Sequence, residues 1–417
     1  MDPEDKYSPS EMTRLGMAGM ARNIGFGVNK VFAADLLSLV TRSQPLIGLI
    51  LGMEGLLGLI LNPLTGWLSD RYTTPWGRRR PFLFIAFPFA AVSWVLFTYE
   101  RALGFAIASL LTFYFFQQLS PTPYQAWMPD ITPPKFWGRA SGILNLWWLV
   151  GNLIAFLPIP LLWHYLHQGA FWLTGALILA GGFITTFGVR EAPIPREPAP
   201  IHGSSLEWVR GNIAKYLVAQ VLWWLAFESM ASFFTLYMIH TLHGTLIDSA
   251  LGMSIFTVSG ILTAMSFGRL YRAKSPRHLL IVSTAAFGII GSTGTVIHSV
   301  APAFGILFIG GIFWGGIQVI SYPWGTDLLS HALPPSENPL QYHGVLYGFV
   351  NMSQALGLLV AAPLAGVSIA WQHGWYGAMF WVSVLASGVA LAVIVSIHPP
   401  TPDRPASELN VNAPDAP

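Results

Sequence analysis

The chain of 417 residues has no cysteine, and only 10% of its residues are charged. The absence of cysteine excludes disulfides, thiolate metal sites and a cysteine nucleophile. Soluble domains carry about 25% charged residues, so this scarcity of charge excludes an ordinary soluble protein. The formal net charge of +2 gives no reason to expect a nucleic-acid partner. Hydrophobic residues make up 53% of the chain, and the composition predicts an integral protein of the lipid bilayer.

Twelve apolar stretches are long enough to cross a membrane, since a spanning helix needs about 20 apolar residues. The first stretch has no small-residue cleavage site, so we expect it to be retained as a helix. The stretches lie at 16–39, 45–68, 82–99, 103–128, 140–162, 169–189, 213–239, 247–270, 277–298, 301–328, 344–370 and 375–397. We therefore expect an all-α membrane protein with a segment 1–15, a six-helix bundle 16–189, a linker 190–212, a second six-helix bundle 213–397 and a disordered tail 398–417.

The positions of the basic residues predict the topology. Seventeen Lys and Arg lie on the side that holds residues 66–81, whereas the opposite side holds Arg42 and Arg101. Short cytoplasmic loops collect Lys and Arg. We therefore expect a multi-pass protein of the plasma membrane (the inner membrane of a bacterium), with both termini in the cytoplasm.

The two halves of the chain repeat one another. Gly138, Gly142, Asn145 and Gly151 recur as Gly344, Gly348, Asn351 and Gly357 at a constant offset of 206 positions. Such a repeat predicts two pseudo-symmetric bundles that are related by an axis along the membrane normal, with a substrate site between them. The simpler interpretation of the glycines is close helix packing, which small residues allow.

A compact charged loop separates the second and third stretches. It contains Gly66, Asp70, Arg71 and Gly77, followed by three consecutive arginines, Arg78, Arg79 and Arg80. This arrangement resembles the loop 2–3 signature of the major facilitator superfamily. The Gly-Arg-Arg-Arg-Pro ending resembles the sucrose/H⁺ symporters and their bacterial relatives in the glycoside–pentoside–hexuronide group. The resemblance implies the fold of that superfamily, a sugar substrate and a co-transported proton.

The resemblance continues through 122–130 and 138–152, but two positions and one stretch differ from the patterns of these relatives. Tyr114 stands where the plant sucrose carriers have an acidic residue linked to proton coupling, and Gln125 stands where they have an arginine. The stretch 58–62 lacks the carboxylates that melibiose-type relatives use for Na⁺. The coupling ion and the sugar therefore stay open.

Four of the charged residues inside the apolar stretches carry functional hypotheses, because a charge is costly there. Lys30 and Glu54 fall at similar depth, so an ion pair is expected, either structural or part of coupling. Glu228 has no basic residue at its depth in its own stretch, so we expect a carboxylate without a basic partner that is either a protonation site or a neutral acid that fixes its helix to a neighbour. Asp35 falls nearer the opposite surface, where it is either wetted or part of coupling.

Polar side chains also recur at helical spacing within several stretches. Amides offer both a donor and an acceptor to sugar hydroxyls, and tryptophan faces suit the apolar side of a sugar ring. The alternative for any single amide is a hydrogen bond between helices. The candidate substrate-binding residues are Asn29, Gln118, Gln125, Asn145, Trp148, Asn152, Gln220, Trp224, Asn351 and Gln354.

Charged residues at the helix ends on the basic side predict a gate. We expect Asp70, Arg71, Asp130 and Arg139 to form a charge network that opens and closes, with Asp327 as the counterpart in the second half. A purely topogenic role is the alternative. Six histidines near the opposite side include two i, i+3 pairs, but no acidic or cysteine partner is near them in sequence. We therefore expect neither a metal site nor a cofactor.

Together these features predict a monomeric secondary transporter that works by alternating access, most concretely a proton-coupled symporter that imports a disaccharide or glycoside. Two alternatives stay open. One is an exporter of another metabolite or amphipathic compound on the same fold. The other is a non-transporting membrane protein, such as an assembly factor or sensor. An enzyme is not expected, because no supported catalytic motif is present.

Overall fold

The computed structural model describes residues 8–72, 74–99, 102–133, 136–191, 208–273, 275–334 and 343–398. The side chain of Asp70 also lies outside the described part. So do residues 1–7 of the expected first segment, residues 192–207 of the expected linker and the expected tail from residue 399 onward.

Fifteen α-helices account for nearly all of the described residues. They are α1 (Pro9–Val40), α2 (Gln44–Arg71), α3 (Arg80–Phe97), α4 (Leu103–Leu119), α5 (Pro121–Ile131), α6 (Trp137–Phe156), α7 (Pro158–Leu166), α8 (Gln168–Gly188), α9 (Asn212–Ala231), α10 (Phe234–His240), α11 (Leu246–Ala273), α12 (Pro276–Thr293), α13 (Val300–Ala332), α14 (His343–Trp371) and α15 (Met379–Val395). Eleven described segments are long and apolar enough to span a membrane, and α12 is a twelfth helix of similar length. The structure is therefore an all-α membrane protein, as expected.

Three of the expected spans are broken into two helices. The break between α4 and α5 precedes Pro121, and the break between α6 and α7 precedes Pro158. Proline has no N–H group and clashes with the preceding turn, so it begins a new helix more readily than it continues an old one. The third break, between α9 and α10, comes at Ser232 and Phe233 without a proline.

The same helix pairs pack in both halves. In the first half α1 packs against α6 and α8, and α3 packs against α4 and α8. In the second half α9 packs against α14 and α15, and α12 packs against α13 and α15. When each broken span is counted once, the first span of each half contacts the fifth and sixth, and the third contacts the fourth and sixth. The sequence repeat therefore corresponds to a repeated architecture.

The halves meet most extensively where α2 runs along α14. Gly48, Gly52 and Gly55 face the backbone of α14 around Leu359 and Ala362, where a Cβ atom would collide. We call the side where α1 begins the terminal side. These glycines lie in the first half of α2, which is remote from the terminal side. At the same end of the molecule, α10 contacts α1 and α7 contacts α11. The halves are therefore joined mainly on the opposite side.

Candidate functional site

One lysine lies between two carboxylates at the centre of the molecule. The Nζ atom of Lys30 on α1 is 2.5 Å from Oε2 of Glu228 on α9 and 3.8 Å from Oε2 of Glu54 on α2. We call these three residues the charge cluster. The side chains of Lys30 and Glu54 are 7% exposed and that of Glu228 is 1% exposed. Burying three charges is costly unless they are paired, and the lysine pairs with both carboxylates.

The charge cluster continues into the first half through two neutral side chains. Asn29 donates its amide to Oε2 of Glu54 at 3.1 Å, and the Tyr114 hydroxyl donates to Oδ1 of Asn29 at 3.0 Å. Tyr114 reaches this far because α4 lies close to α1, where Gly25 faces Gln117 and leaves no room for a Cβ. Asn29 therefore contacts a carboxylate of the chain itself.

The cluster also joins the two halves. Lys30, Glu54, Asn29 and Tyr114 all belong to the first half, whereas Glu228 belongs to the second. The expected Lys30–Glu54 pair is present. The expectation that Glu228 has no basic partner is wrong, because Lys30 comes to it from a helix 198 positions away. A pair between helices of different halves leaves no signature within either stretch of sequence.

Other candidate amides lie in the first half between the cluster and the terminal side. Gln118 is buried beside Gly58, and its neighbour Gln117 donates to the backbone carbonyl of Arg22 at 3.2 Å. Asn152 on α6 is 5% exposed, and its Oδ1 accepts no hydrogen bond from the described residues. A buried amide oxygen without a partner is a place where a ligand hydroxyl gains a hydrogen bond.

The second half contributes an aromatic wall that the sequence did not reveal. The ring of Trp314 stacks on Phe227, with centroids 4.5 Å apart, and meets the edge of Trp224 at 5.5 Å. Trp224 is half-buried, and its indole N–H finds no acceptor among the described residues. Gln354 donates to the Tyr322 hydroxyl at 2.6 Å. The spacing of Trp224 along α9 indicated a polar face, but the partners on α13 could be found only from the packing.

The remaining candidates are less close to the cluster. Gln220 is buried and donates to the Tyr216 hydroxyl at 2.8 Å, and Asn351 is half-buried. Gln125, Asn145 and Trp148 are exposed. Their assignment as substrate-binding residues stays a prediction.

Asp35 lies near the opposite side, apart from the charge cluster. It is half-buried on α1 and attracts His240 of α10 electrostatically. The His240 ring stacks on Tyr376, whose hydroxyl accepts a hydrogen bond from Gln44 at 2.9 Å. Asp35 therefore belongs to a polar contact between the halves, and its part in coupling stays a prediction.

The terminal-side network is built differently from the expected one. Asp130 pairs with Arg78 at 2.8 Å and with Arg79 at 3.1 Å, and Arg79 also donates to Ser69. Among the described contacts, Arg71 instead lies over the Trp67 ring at 5.2 Å, and Arg139 is exposed at the start of α6. Asp327 lies at the corresponding end of α13. Among the described contacts the ion-pair partners of Asp130 are thus Arg78 and Arg79 rather than Arg71 or Arg139, and the part of Asp70 lies outside the described residues.

Glu191, which the sequence did not single out, fixes the start of α3. Its Oε1 accepts hydrogen bonds from the backbone N–H groups of Arg78 and Arg79, both at 2.6 Å. Gly77 has a φ of +112°, and a Cβ there would overlap the Glu191 carboxylate. Gly66 lies against Thr122 of α5. The sequence does not indicate that Glu191 binds Arg78 and Arg79, because it follows them by at least 112 positions.

Two surface cavities lie away from the charge cluster. One of about 350 Å³ is lined by Trp208, Arg210 and His331 at the terminal end of the second half. The other, of about 400 Å³, is lined by apolar side chains of α2 and α4 such as Met53 and Phe115. Neither includes Lys30, Glu54 or Glu228, so the buried polar groups, rather than these cavities, indicate the site. Among the described residues, no group of three metal-binding side chains occurs.

A family comparison decides the class of the molecule. The sequence model of the Major Facilitator Superfamily matches residues 15–343. The chain belongs to the major facilitator superfamily. The resemblance drawn from the loop at 66–81 is thereby confirmed, and this multi-pass membrane protein belongs to a superfamily of transporters.

Part of the chain is similar to two plant sucrose carriers. The sucrose transport protein SUT1 of Oryza sativa subsp. japonica is 25% identical over 178 residues, which cover 36% of this chain and 32% of that protein. The sucrose transport protein SUC3 of Arabidopsis thaliana is 22% identical over 121 residues, which cover 24% of this chain and 20% of that protein. The chain thus matches less than two thirds of the length of either relative.

Solved structures confirm the fold. A bacterial homologue of the human lysosomal transporter Spinster, in an inward-facing and unoccupied conformation, has a TM-score of 0.69 at 14% identity, covering 95% of this chain and 98% of that one. The nucleoside transporter NupG has a TM-score of 0.75 at 11% identity, covering 93% of this chain and 100% of that one. At these identities the likeness shows the fold alone, and it confirms the expected fold of twelve spans in two bundles.

Proposed function

We propose that this chain is a proton-coupled symporter of the plasma membrane that imports a sugar, and that both of its termini lie in the cytoplasm. The observation that carries the proposal is the buried charge cluster, which joins the two halves at the place where a carrier rearranges. Lys30 is shared by two carboxylates, so protonating one of them changes how strongly the halves attract each other. Ionisable residues inside a membrane are typical of such proton relays.

The groups around the cluster fit a neutral polyhydroxylated substrate. Asn152 offers an acceptor from the first half, and Trp224 offers a donor and an aromatic edge from the second. Gln354 and Tyr322 extend this surface toward the terminal side. The partial likeness to two sucrose transport proteins supports a sugar within this class.

Uptake by the purified full chain in proteoliposomes tests the proposal. With an acidic exterior, radiolabelled sucrose is expected to accumulate against its gradient, and uridine, as a probe for a nucleoside carrier, is not. Glu228→Gln is expected to lose accumulation driven by the pH gradient while keeping sucrose exchange between preloaded vesicles and medium. Exchange survives because it needs no net proton movement.

A matched control separates coupling from folding. Tyr237→Phe removes a buried hydroxyl that donates to the carbonyl of Gly294 at 2.7 Å, away from the charge cluster, and it is expected to accumulate sucrose like the unaltered chain. Accumulation of uridine but not sucrose, or unchanged pH-driven uptake by Glu228→Gln, contradicts the proposal.

A further inference from the structure

The two carboxylates of the charge cluster have unequal surroundings. Oε2 of Glu54 accepts a hydrogen bond from Asn29 at 3.1 Å, and the Arg22 guanidinium of α1 also attracts this carboxylate. Glu228 has Lys30 as its partner at Oε2, and its Oε1 has no hydrogen-bond partner among the described residues. The hydrogen bond from Asn29 has a fixed direction, since an amide NH₂ only donates. It therefore favours the charged form of Glu54.

The hydroxyl of Tyr114 holds Asn29 in that orientation. It donates to Oδ1 of Asn29 at 3.0 Å, so the carbonyl side of the amide is occupied and the NH₂ side faces Glu54. Because Tyr114, Asn29, Glu54 and Lys30 lie on α4, α1 and α2 of one half, they move together when the halves move. Glu228 is carried on the other half.

We infer that Tyr114 and Asn29 keep Glu54 as the permanent counter-ion of Lys30, so that Glu228 is the carboxylate that takes up and releases the proton. This inference rests on the proposed proton coupling and adds two positioning residues to it. It also moves Asn29 from the expected substrate contacts to the positioning of a charge.

The proton step balances within the cluster. In this structure Lys30 pairs closely with Glu228. With both carboxylates ionised, the three groups together carry one negative charge. When the halves separate there, Lys30 stays with Glu54, which is 3.8 Å away on its own half. The Glu228 carboxylate then binds one proton from water and becomes a neutral carboxylic acid. Return of Lys30 releases that proton.

Among the described residues, Lys30 is the one cation that forms an ion pair with Glu228. On α9 the one other charged side chain is Lys215, thirteen positions and about 20 Å away along the helix axis. Of the helices packed against α9, α14 and α15 contain no Asp, Glu, Lys or Arg, and the one such residue on α13 is Asp327 at its terminal end. The titratable or charged groups around the cluster are therefore Arg22 and Lys30 on α1, Glu54 on α2, Tyr114 on α4, Tyr124 on α5 and Glu228 itself.

Infrared spectroscopy of the purified full chain in lipid nanodiscs tests the inference without any substrate. The carbonyl stretch of a protonated carboxyl group is followed during a pH titration. We expect one buried titrating band, which is lost in Glu228→Gln and retained in Glu54→Gln. Asn29→Ala and Tyr114→Phe are each expected to give a second titrating band, because the first removes the donor to Glu54 and the second removes the hydroxyl that orients this donor.

The second band identifies Glu54 only if it disappears again when Glu54→Gln is added to Asn29→Ala, which is the expected result. Tyr237→Phe, which removes a buried hydroxyl elsewhere, is expected to keep the single band. A band lost in Glu54→Gln but kept in Glu228→Gln overturns the inference, and so does an Asn29→Ala spectrum equal to that of the unaltered chain. Absence of sucrose uptake refutes the proposed substrate and leaves this result standing.

Discussion

Lys30 is the residue on which the two halves depend for charge balance, because it is the cation shared by Glu54 and Glu228. Removing one partner of a buried ion pair leaves an uncompensated charge and costs about 3–5 kcal/mol. The three members are not equivalent in this respect. Loss of Glu228 leaves Lys30 with a second carboxylate at 3.8 Å, whereas loss of Lys30 leaves two buried carboxylates together.

The variants of the charge cluster are therefore expected to differ in their free energy of unfolding. Lys30→Gln is expected to lower the free energy of unfolding by about 3–5 kcal/mol. Glu228→Gln is expected to lower it by about 1.5–3 kcal/mol, which is typical of one charged hydrogen bond. Unfolding by SDS in mixed micelles, followed by tryptophan fluorescence, measures both changes. A Glu228→Gln variant that is less stable than Lys30→Gln would show that Glu54 does not support the lysine.

At the scale of helices, the seam between α2 and α14 is the main contact between the halves. Gly48 and Gly55 face backbone atoms of α14 at positions where a Cβ would collide. Helices in lipid associate through such close packing, because water does not drive them together. The seam therefore favours the conformation that is closed on the opposite side.

We expect Gly55→Ala to push α2 and α14 apart and to populate the conformation that is open on the opposite side. Distances between spin labels at Arg42→Cys and Ser299→Cys report this, and the absence of native cysteine means that no other thiol is labelled. Gly305→Ala is the matched control, since a Cβ there meets no atom within 4 Å. An unchanged distance distribution in Gly55→Ala, or an equal change in Gly305→Ala, would mean that the seam does not set the conformation.

The limits of sequence reasoning differ between elements. Apolar length predicted the spans because the membrane imposes it, and Pro121 and Pro158 explain two of the three broken helices. The break after α9 lacks such a residue and could not be predicted. Lys30 and Glu228 were both found as intramembrane charges, yet their contact was missed, because it depends on how two halves pack. Glu191 was missed for the same reason: its partners belong to another span.

At the scale of the whole molecule, the repeated helix pairs make each half a unit, and the charge cluster joins one unit to the other. The Lys30–Glu228 pair crosses between the halves and the Lys30–Glu54 pair does not. Changing the two glutamates therefore has different consequences for the movement of the halves, although the side chains are alike and share one lysine. This difference separates a coupling role from a general effect of buried charge.

We expect Glu228→Gln to lengthen the spin-label distance between Arg42→Cys and Ser299→Cys and to shorten the distance between Pro75→Cys and Ser275→Cys on the terminal side. Losing about 1.4 kcal/mol of attraction between the halves changes the ratio of two conformations tenfold. Glu54→Gln keeps the pair that crosses between the halves, so we expect its distances to match those of the unaltered chain. Equal shifts in the two variants would mean that Lys30 responds to the total charge around it, and the cluster would then not link protonation of Glu228 to the movement of the halves.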